Sequence, residues 1–166
     1  MKIRLATLHL LPLLLAAASP AGAAPRITVD FLDTANYTDA YPSGRRTGTD
    51  RELQHTLDTL RQAIIDAGSK TLADGDELRM EVLDVNLAGE YNPPMGGPAN
   101  QVRVMRNVDW PSLKVRYTLK RGGRETQGDA VISDMSYLMG ASMCPGGQAL
   151  CYERRMVERW FRKELH

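Results

Sequence analysis

The chain has 166 residues, with 21 basic side chains against 20 acidic ones, a formal charge of +1 and only two cysteines. That length suits one domain with a full hydrophobic core. The near-neutral charge gives no global attraction to nucleic acid or to a strongly anionic membrane, and no repeat or coiled-coil pattern points to an extended architecture.

Lys2 and Arg4 precede an apolar run from Leu5 to Ala18, followed by Ser19, Pro20 and the small residues Ala21-Gly22-Ala23-Ala24. A charged start, a short apolar centre and small residues at a cut describe a secretory signal peptide. A membrane-spanning helix wants ~20 apolar residues, and His9 and Pro12 interrupt this shorter run. The expectation is therefore a cleavable signal over residues 1–23 and a single exported domain, periplasmic or secreted, over 24–166, with no membrane span after cleavage. Loss of Lys2 and Arg4 leaves 21 minus 2 basic groups against 20 acidic ones, a charge of about -1. No cysteine lies near the cut, which excludes lipid attachment there.

Arg26 to Leu32 alternates Ile27, Val29 and Phe31 against polar neighbours, the period of a strand. Thr49 and Glu52 then have the spacing of a capping box, in which each side chain satisfies an orphan amide of the first helical turn. Leu53, Leu57, Leu60, Ile64 and Ala67 follow on one helical stripe, and Gly68 reads as the C-terminal cap. His55 points away from that stripe and reads as a surface histidine. After Asp74-Gly75-Asp76, Leu78, Met80 and Val82 alternate before the apolar phase slips to Leu83, Val85 and Leu87. A one-residue slip exchanges the faces of a strand, so a β-bulge is expected near Val82 and Leu83. The segment GEYNPPMGGPANQ reads as a loop.

Val102 and Val104 suggest a short strand. Leu113 to Leu119 is a longer one, and Arg121-Gly122-Gly123-Arg124 is a two-residue hairpin signal. If Arg121 faces Arg124, then Lys120 faces Glu125, Arg116 faces Asp129, Leu113 meets Ile132, Val115 meets Ala130 and Tyr117 meets Gly128. Opposite charges on one face and large against small on the other support this register. Its polar face, Lys114, Arg116, Lys120, Glu125 and Asp129, should meet water. In SDMSYLMG, Ser133 or Ser136 can start a helical turn that Gly140 ends. YERRMVERWFRKEL then forms a helix with Met156, Val157, Trp160 and Phe161 on its apolar arc. Arg155, Arg159 and Arg162 share another face, which suits an acidic or anionic partner but reads more economically as a solvated surface, with Glu158 available to Arg162.

In an exported chain with two cysteines and no third, a Cys144–Cys151 disulfide is the default. Six intervening residues separate the pair from the close spacing of thiol-exchange enzymes, and two ligands do not close a zinc site. No P-loop, nucleophile-elbow or zinc-protease motif occurs, so no catalytic residue, metal or cofactor is assigned. A binding surface around Trp110, Asp134, Tyr137, Arg155 and Arg159 is the leading functional expectation, its partner another cell-envelope protein or a glycan. The alternatives are a hydrolase using Asp109 or Asp134 with Tyr137, and a thiol-disulfide protein using Cys144 and Cys151. The sequence does not speak to the oligomeric state.

Taken in order, ITVDFLD, LRMEVLDVNLAGEY, VRVMRNVDWPSLKVRYTL, SDMSYLMG and YERRMVERWF resemble the exported bacterial proteins catalogued as domain of unknown function 3016. The most specific parts are Asp109-Trp110-Pro111, Ser133-Asp134-Met135 with Tyr137, and Tyr152-Glu153-x-Arg155-Met156 before Trp160. The resemblance spans nearly all of the expected mature chain. It implies an envelope or secreted protein of proteobacterial type and brings no activity, ligand or catalytic residue. The fold expected from the elements is α+β, a mainly antiparallel sheet of about five strands in the order β-α-β-β-β-β-α with two helices packed on one face.

Overall fold

A computed structural model describes residues 23–44, 48–91, 103–139, 144 and 148–165. The expected signal segment, apart from Ala23, lies outside the described residues, as does Gly140. The elements are β1 (Arg26–Phe31), α1 (Asp50–Thr71), β2 (Glu77–Asn86), β3 (Glu90–Tyr91), β4 (Arg103–Val104), β5 (Ser112–Arg121), β6 (Arg124–Ser133) and α2 (Cys151–Glu164), with short 3-10 turns at Thr34–Asn36 and at 137–139. Four strands form the main sheet in the order β1-β2-β5-β6, and β3 pairs with β4 in a separate ribbon. The α+β class holds. Val102 lies outside the described residues. The short strand expected beside it is β4, which pairs not with the main sheet but with β3, formed by Glu90 and Tyr91 of the segment that reads as a loop. The first pair of the main sheet, β1 with β2, is parallel. The reason is α1, whose 22 residues carry the chain back along the sheet so that β2 re-enters in the direction of β1.

The capping box at the start of α1 is present: the Thr49 hydroxyl accepts the Glu52 amide and the Glu52 carboxylate accepts the Thr49 amide. That hydrogen bond to the Thr49 backbone holds the Glu52 carboxyl below its ordinary pKa. The helix does not stop at Gly68; it runs on to Thr71 and caps at Leu72, whose amide bonds to the Gly68 carbonyl. Gly68 serves packing instead. A β-carbon there would lie 2.5 Å from Ile27 Cδ1 and 3.2 Å from Phe161 Cε1, so the missing side chain lets β1 and α2 close on α1.

The slip in β2 is a register shift between Val82 and Asp84 in its pairing with β5. Its result is that Met80, Val82 and Val85 are all buried while the Asp84 side chain reaches Thr38. The hairpin register is as the charges required, from Arg121 opposite Arg124 to Leu113 opposite Ile132. Gly122 and Gly123 both take positive φ, the backbone that a two-residue turn demands. Gly128 leaves room for Tyr117, whose hydroxyl would sit 2.9 Å from a β-carbon at that position.

α1 and α2 cover one face of the sheet, around a core that includes Leu60, Ile64, Met80, Val85, Leu113, Ile132 and Phe161. They run in the same direction, tied by Lys70 to Glu158 at 3.2 Å and Arg154 to Asp66 at 3.8 Å. Glu158 thus pairs with the neighbouring helix rather than with Arg162. Trp160 is half-buried, edge-on to Tyr117 and Phe161 with ring centroids 5.8 and 5.3 Å away. The other face of the sheet meets water and carries cross-strand charge pairs, among them Lys120 with Glu125, Arg116 with Asp129 and Arg79 with Asp30. Exposed pairs of this kind contribute ~0–1 kcal/mol each, so this face favours solubility more than stability.

Candidate functional site

Both helices begin at the end of the sheet where β1, β2 and β6 finish and β5 starts. Here the structure gathers most of the residues that the sequence singles out. The Asp134 amide bonds to the Pro111 carbonyl, extending the β5–β6 ladder by one step. The Asp134 carboxylate accepts the Ser136 amide and also pairs with Arg159 of α2, and the helical turn expected here covers residues 137–139, opened by Ser136, whose carbonyl accepts the Met139 amide. Tyr137 is buried, 2% exposed. Its hydroxyl donates to the Arg106 carbonyl at 2.8 Å, and its ring stands edge-on to Tyr152, 5.0 Å between centroids. Burial raises its pKa above the ordinary tyrosine value, and the nearby Asp109 charge adds to this. Asp109 itself pairs with Arg106, which also holds Glu90.

Of the five residues expected to form a binding surface, Asp134 and Tyr137 are thus interior struts. Trp110, Arg155 and Arg159 retain exposure in different degrees, Trp110 and Arg159 being the more exposed. Asp109, Asp134 and Tyr137 are each held by a partner inside the fold, and the contacts place Asp109 with Arg106 but Asp134 with Arg159. Cys144 and Cys151 form a disulfide with Cα atoms 5.6 Å apart. Among the described residues, no group of three or more His, Cys, Asp or Glu side chains is placed to hold a metal ion.

Two residues that carry this end of the molecule were not assigned a role from the sequence. Arg103, in β4, directs all its guanidinium nitrogens inward: to the Pro42, Tyr41, Ala88 and Gly89 carbonyls and, at 2.7 Å, to the Asp39 carboxylate. One side chain thereby joins the segment after β1, the end of β2 and the β3–β4 ribbon. Glu153, in the first turn of α2, is 3% exposed and accepts the Ala88 amide at 2.7 Å. Burial raises its pKa, against the opposing pull of that hydrogen bond and the Arg103 charge. A strand pattern makes Arg103 look like one more polar residue facing water, and a helix pattern does the same for Glu153. Only the motif YERRM, within which Glu153 carries part of the family resemblance, offered a signal.

Between these two residues lies an open cleft of about 280 Å³, walled by Pro42, Leu87, Met105, Leu150, Tyr152 and the disulfide. Its charged groups are already engaged, Arg103 by carbonyls and Asp39, Glu153 by Ala88. What it offers a ligand is apolar wall. The surface around it has the same character. Every large apolar side chain exposed among the described residues lies at this end: Leu32 after β1, Val104, Met105, Val108 and Trp110 before β5, and Val131, Met135 and Met139 at and beyond the end of β6. The opposite end, with the Gly122-Gly123 turn and the helix C-termini, exposes none among the described residues.

The architecture and site define a small α+β domain whose C-terminal helix is locked to one end of a mixed sheet by buried polar contacts and a disulfide. The chain belongs to the family described as Protein of unknown function (DUF3016), whose model matches residues 25–163. No curated protein and no solved structure matches it.

Proposed function

We propose that this protein is exported to the periplasm or beyond and acts there as a non-catalytic binding or assembly module, engaging another envelope component through the apolar end of its sheet. The observation that carries this reading is a contrast. The carboxylates and the tyrosine at that end, which a hydrolase would need free to exchange protons, are bonded within the fold, while the apolar side chains beside them stand in water. Exposed apolar groups concentrated in one region are the usual mark of a contact surface. Val108 is 70% and Met139 90% exposed, and aliphatic side chains of this kind suit a protein partner better than a glycan, which is recognised through hydrogen bonds. The export signal expected over 1–23 and the disulfide agree with an oxidising compartment.

The test replaces Val108 or Met139 with a photo-crosslinking amino acid in intact cells, with Arg124 at the opposite end as control. The expected result is a discrete protein adduct from both apolar positions and none from Arg124, all in the periplasmic fraction. Retention in the cytoplasm, or equal labelling from Arg124, would overturn the reading.

A further inference from the structure

β6 is the outer strand of the main sheet, and among the described residues it pairs only with β5. Proteins blunt such edges with short strands, charged side chains (lysine above all), proline or bulges. β6 has ten residues, RETQGDAVIS, with no lysine or proline, its register with β5 is unbroken, and its two carboxylates, Glu125 and Asp129, are paired within the hairpin with Lys120 and Arg116. The two-residue turn makes Arg121 and Arg124 a hydrogen-bonded pair, and such pairs alternate along an antiparallel ladder. The N–H and C=O groups of Glu125, Gln127, Asp129, Val131 and Ser133 therefore point away from β5, toward the open edge. The same five side chains lie on the water-facing side of the sheet.

A second copy that pairs antiparallel about a two-fold axis normal to the sheet keeps its water-facing side in common with the first, so odd-numbered residues must meet odd-numbered ones. Charge then selects the register. Centred on Asp129, the pairing sets that carboxylate against itself; centred on Gln127, it sets Glu125 against Asp129 of the second copy. Centring on Gly128 or Ala130 sets Val131 against Glu125 or Asp129, and centres beyond Val131 shorten the shared strand. A centre at Val131 pairs this 62%-exposed side chain with itself. It also brings Asp129, already bonded to Arg116, opposite the Ser133 hydroxyl, which can donate to it. We propose that β6 is a self-association edge and that its partner is a second copy of this chain, paired antiparallel across Val131 to join two four-stranded sheets into one. About six backbone hydrogen bonds form across such a junction. The near-neutral charge of the chain does not oppose it. This proposal does not rest on the envelope partner at Val108 and Met139, although Val131 belongs to the same apolar end.

Sedimentation velocity on the purified full-length protein, over a range of concentrations, should show a monomer–dimer equilibrium. Val131→Lys, an exposed change that should leave far-UV circular dichroism intact, should weaken the dimer by about tenfold or more, because it sets like charges opposite each other. Val131→Cys should give a symmetric intermolecular disulfide at residue 131 on mild oxidation, whereas Gln127→Cys should not, being far from its own copy in this register. A protein that stays monomeric at every concentration, a dimer insensitive to Val131→Lys, or faster cross-linking at Gln127→Cys would overturn the proposal.

Discussion

Glu153 shows how little of a buried carboxyl group's character is visible in its letter. It occupies the third position of α2, where an acidic residue ordinarily sits in water and favours the helix dipole. Here it turns inward to receive the Ala88 amide, and burial holds its proton above the ordinary value of 4.5. For an acid whose folded pKa is raised, the linked stability is fully present below the unfolded pKa and is lost as pH rises through the folded value. Glu153→Gln keeps an oxygen for Ala88 and removes the titration. Thermal melts should therefore show the variant close to the native protein near pH 4, with its relative stability increasing as the pH is raised above that. Parallel profiles across the whole range would mean that Glu153 ionises at no cost. Tyr37 is a second residue of this kind. Burial, reinforced by the charge of Asp84, pushes its pKa up to about 12, and its hydroxyl donates to the Val82 carbonyl at the β2 bulge. Asp84 goes the other way: burial opposes its charge, but the Thr38 amide and hydroxyl with Lys114 prevail and lower its pKa.

The elements were legible in the sequence wherever their determinants are local. Thr49 and Glu52 mark the start of α1, paired glycines fix the β5–β6 hairpin, and the phase slip at Val82 marks the bulge. They were illegible where a distant element decides. Gly68 has the form of a helix stop, yet its role is to admit Ile27 and Phe161, residues 41 positions before it and 93 after it in the sequence. The short strand at Val104 was legible, but β3, within a segment that reads as a loop, and its pairing with β4 were not, for the same reason: Arg103 holds the ribbon by reaching Asp39 and the carbonyls around it. The disulfide lies between these cases: its existence follows from the expected export and the cysteine count, its purpose only from the fold. Cys151 is the first residue of α2 and the bridge walls the cleft, so the covalent link ties the helix start to Cys144, while Glu153 ties it to Ala88. Replacing both cysteines by serine should cost roughly 2.5 kcal/mol on the loop-closure estimate, measured by urea denaturation of the two proteins. An unchanged midpoint would show that Glu153 and the core of α2 hold the helix without the bridge.

At the scale of the whole molecule, the two ends of the sheet differ in kind, and the difference separates stability from contact. The end near the Gly122-Gly123 turn is closed by polar bonds. Arg121 pairs with Asp76 at 2.9 Å and donates to the Leu165 carbonyl, while Asp76, 4% exposed, also accepts the Ala73 amide. The other end presents the cleft and the exposed methionines and valines. Arg121→Ala leaves a buried carboxylate short of a partner, a change that ordinarily costs about 1–3 kcal/mol, and it frees the chain terminus from β5. That variant should unfold at a lower temperature and still give the photo-adduct from Val108. Met139→Lys, on a side chain that touches almost nothing, should leave the melting temperature within a degree or so and abolish adduct formation at Val108. If both variants lost the adduct in proportion to their stability, the apolar end would have no role beyond folding. If only Met139→Lys lost it, the exposed surface would be where this protein meets its partner, and the buried polar contacts beneath it would be the means by which the fold keeps that surface in place.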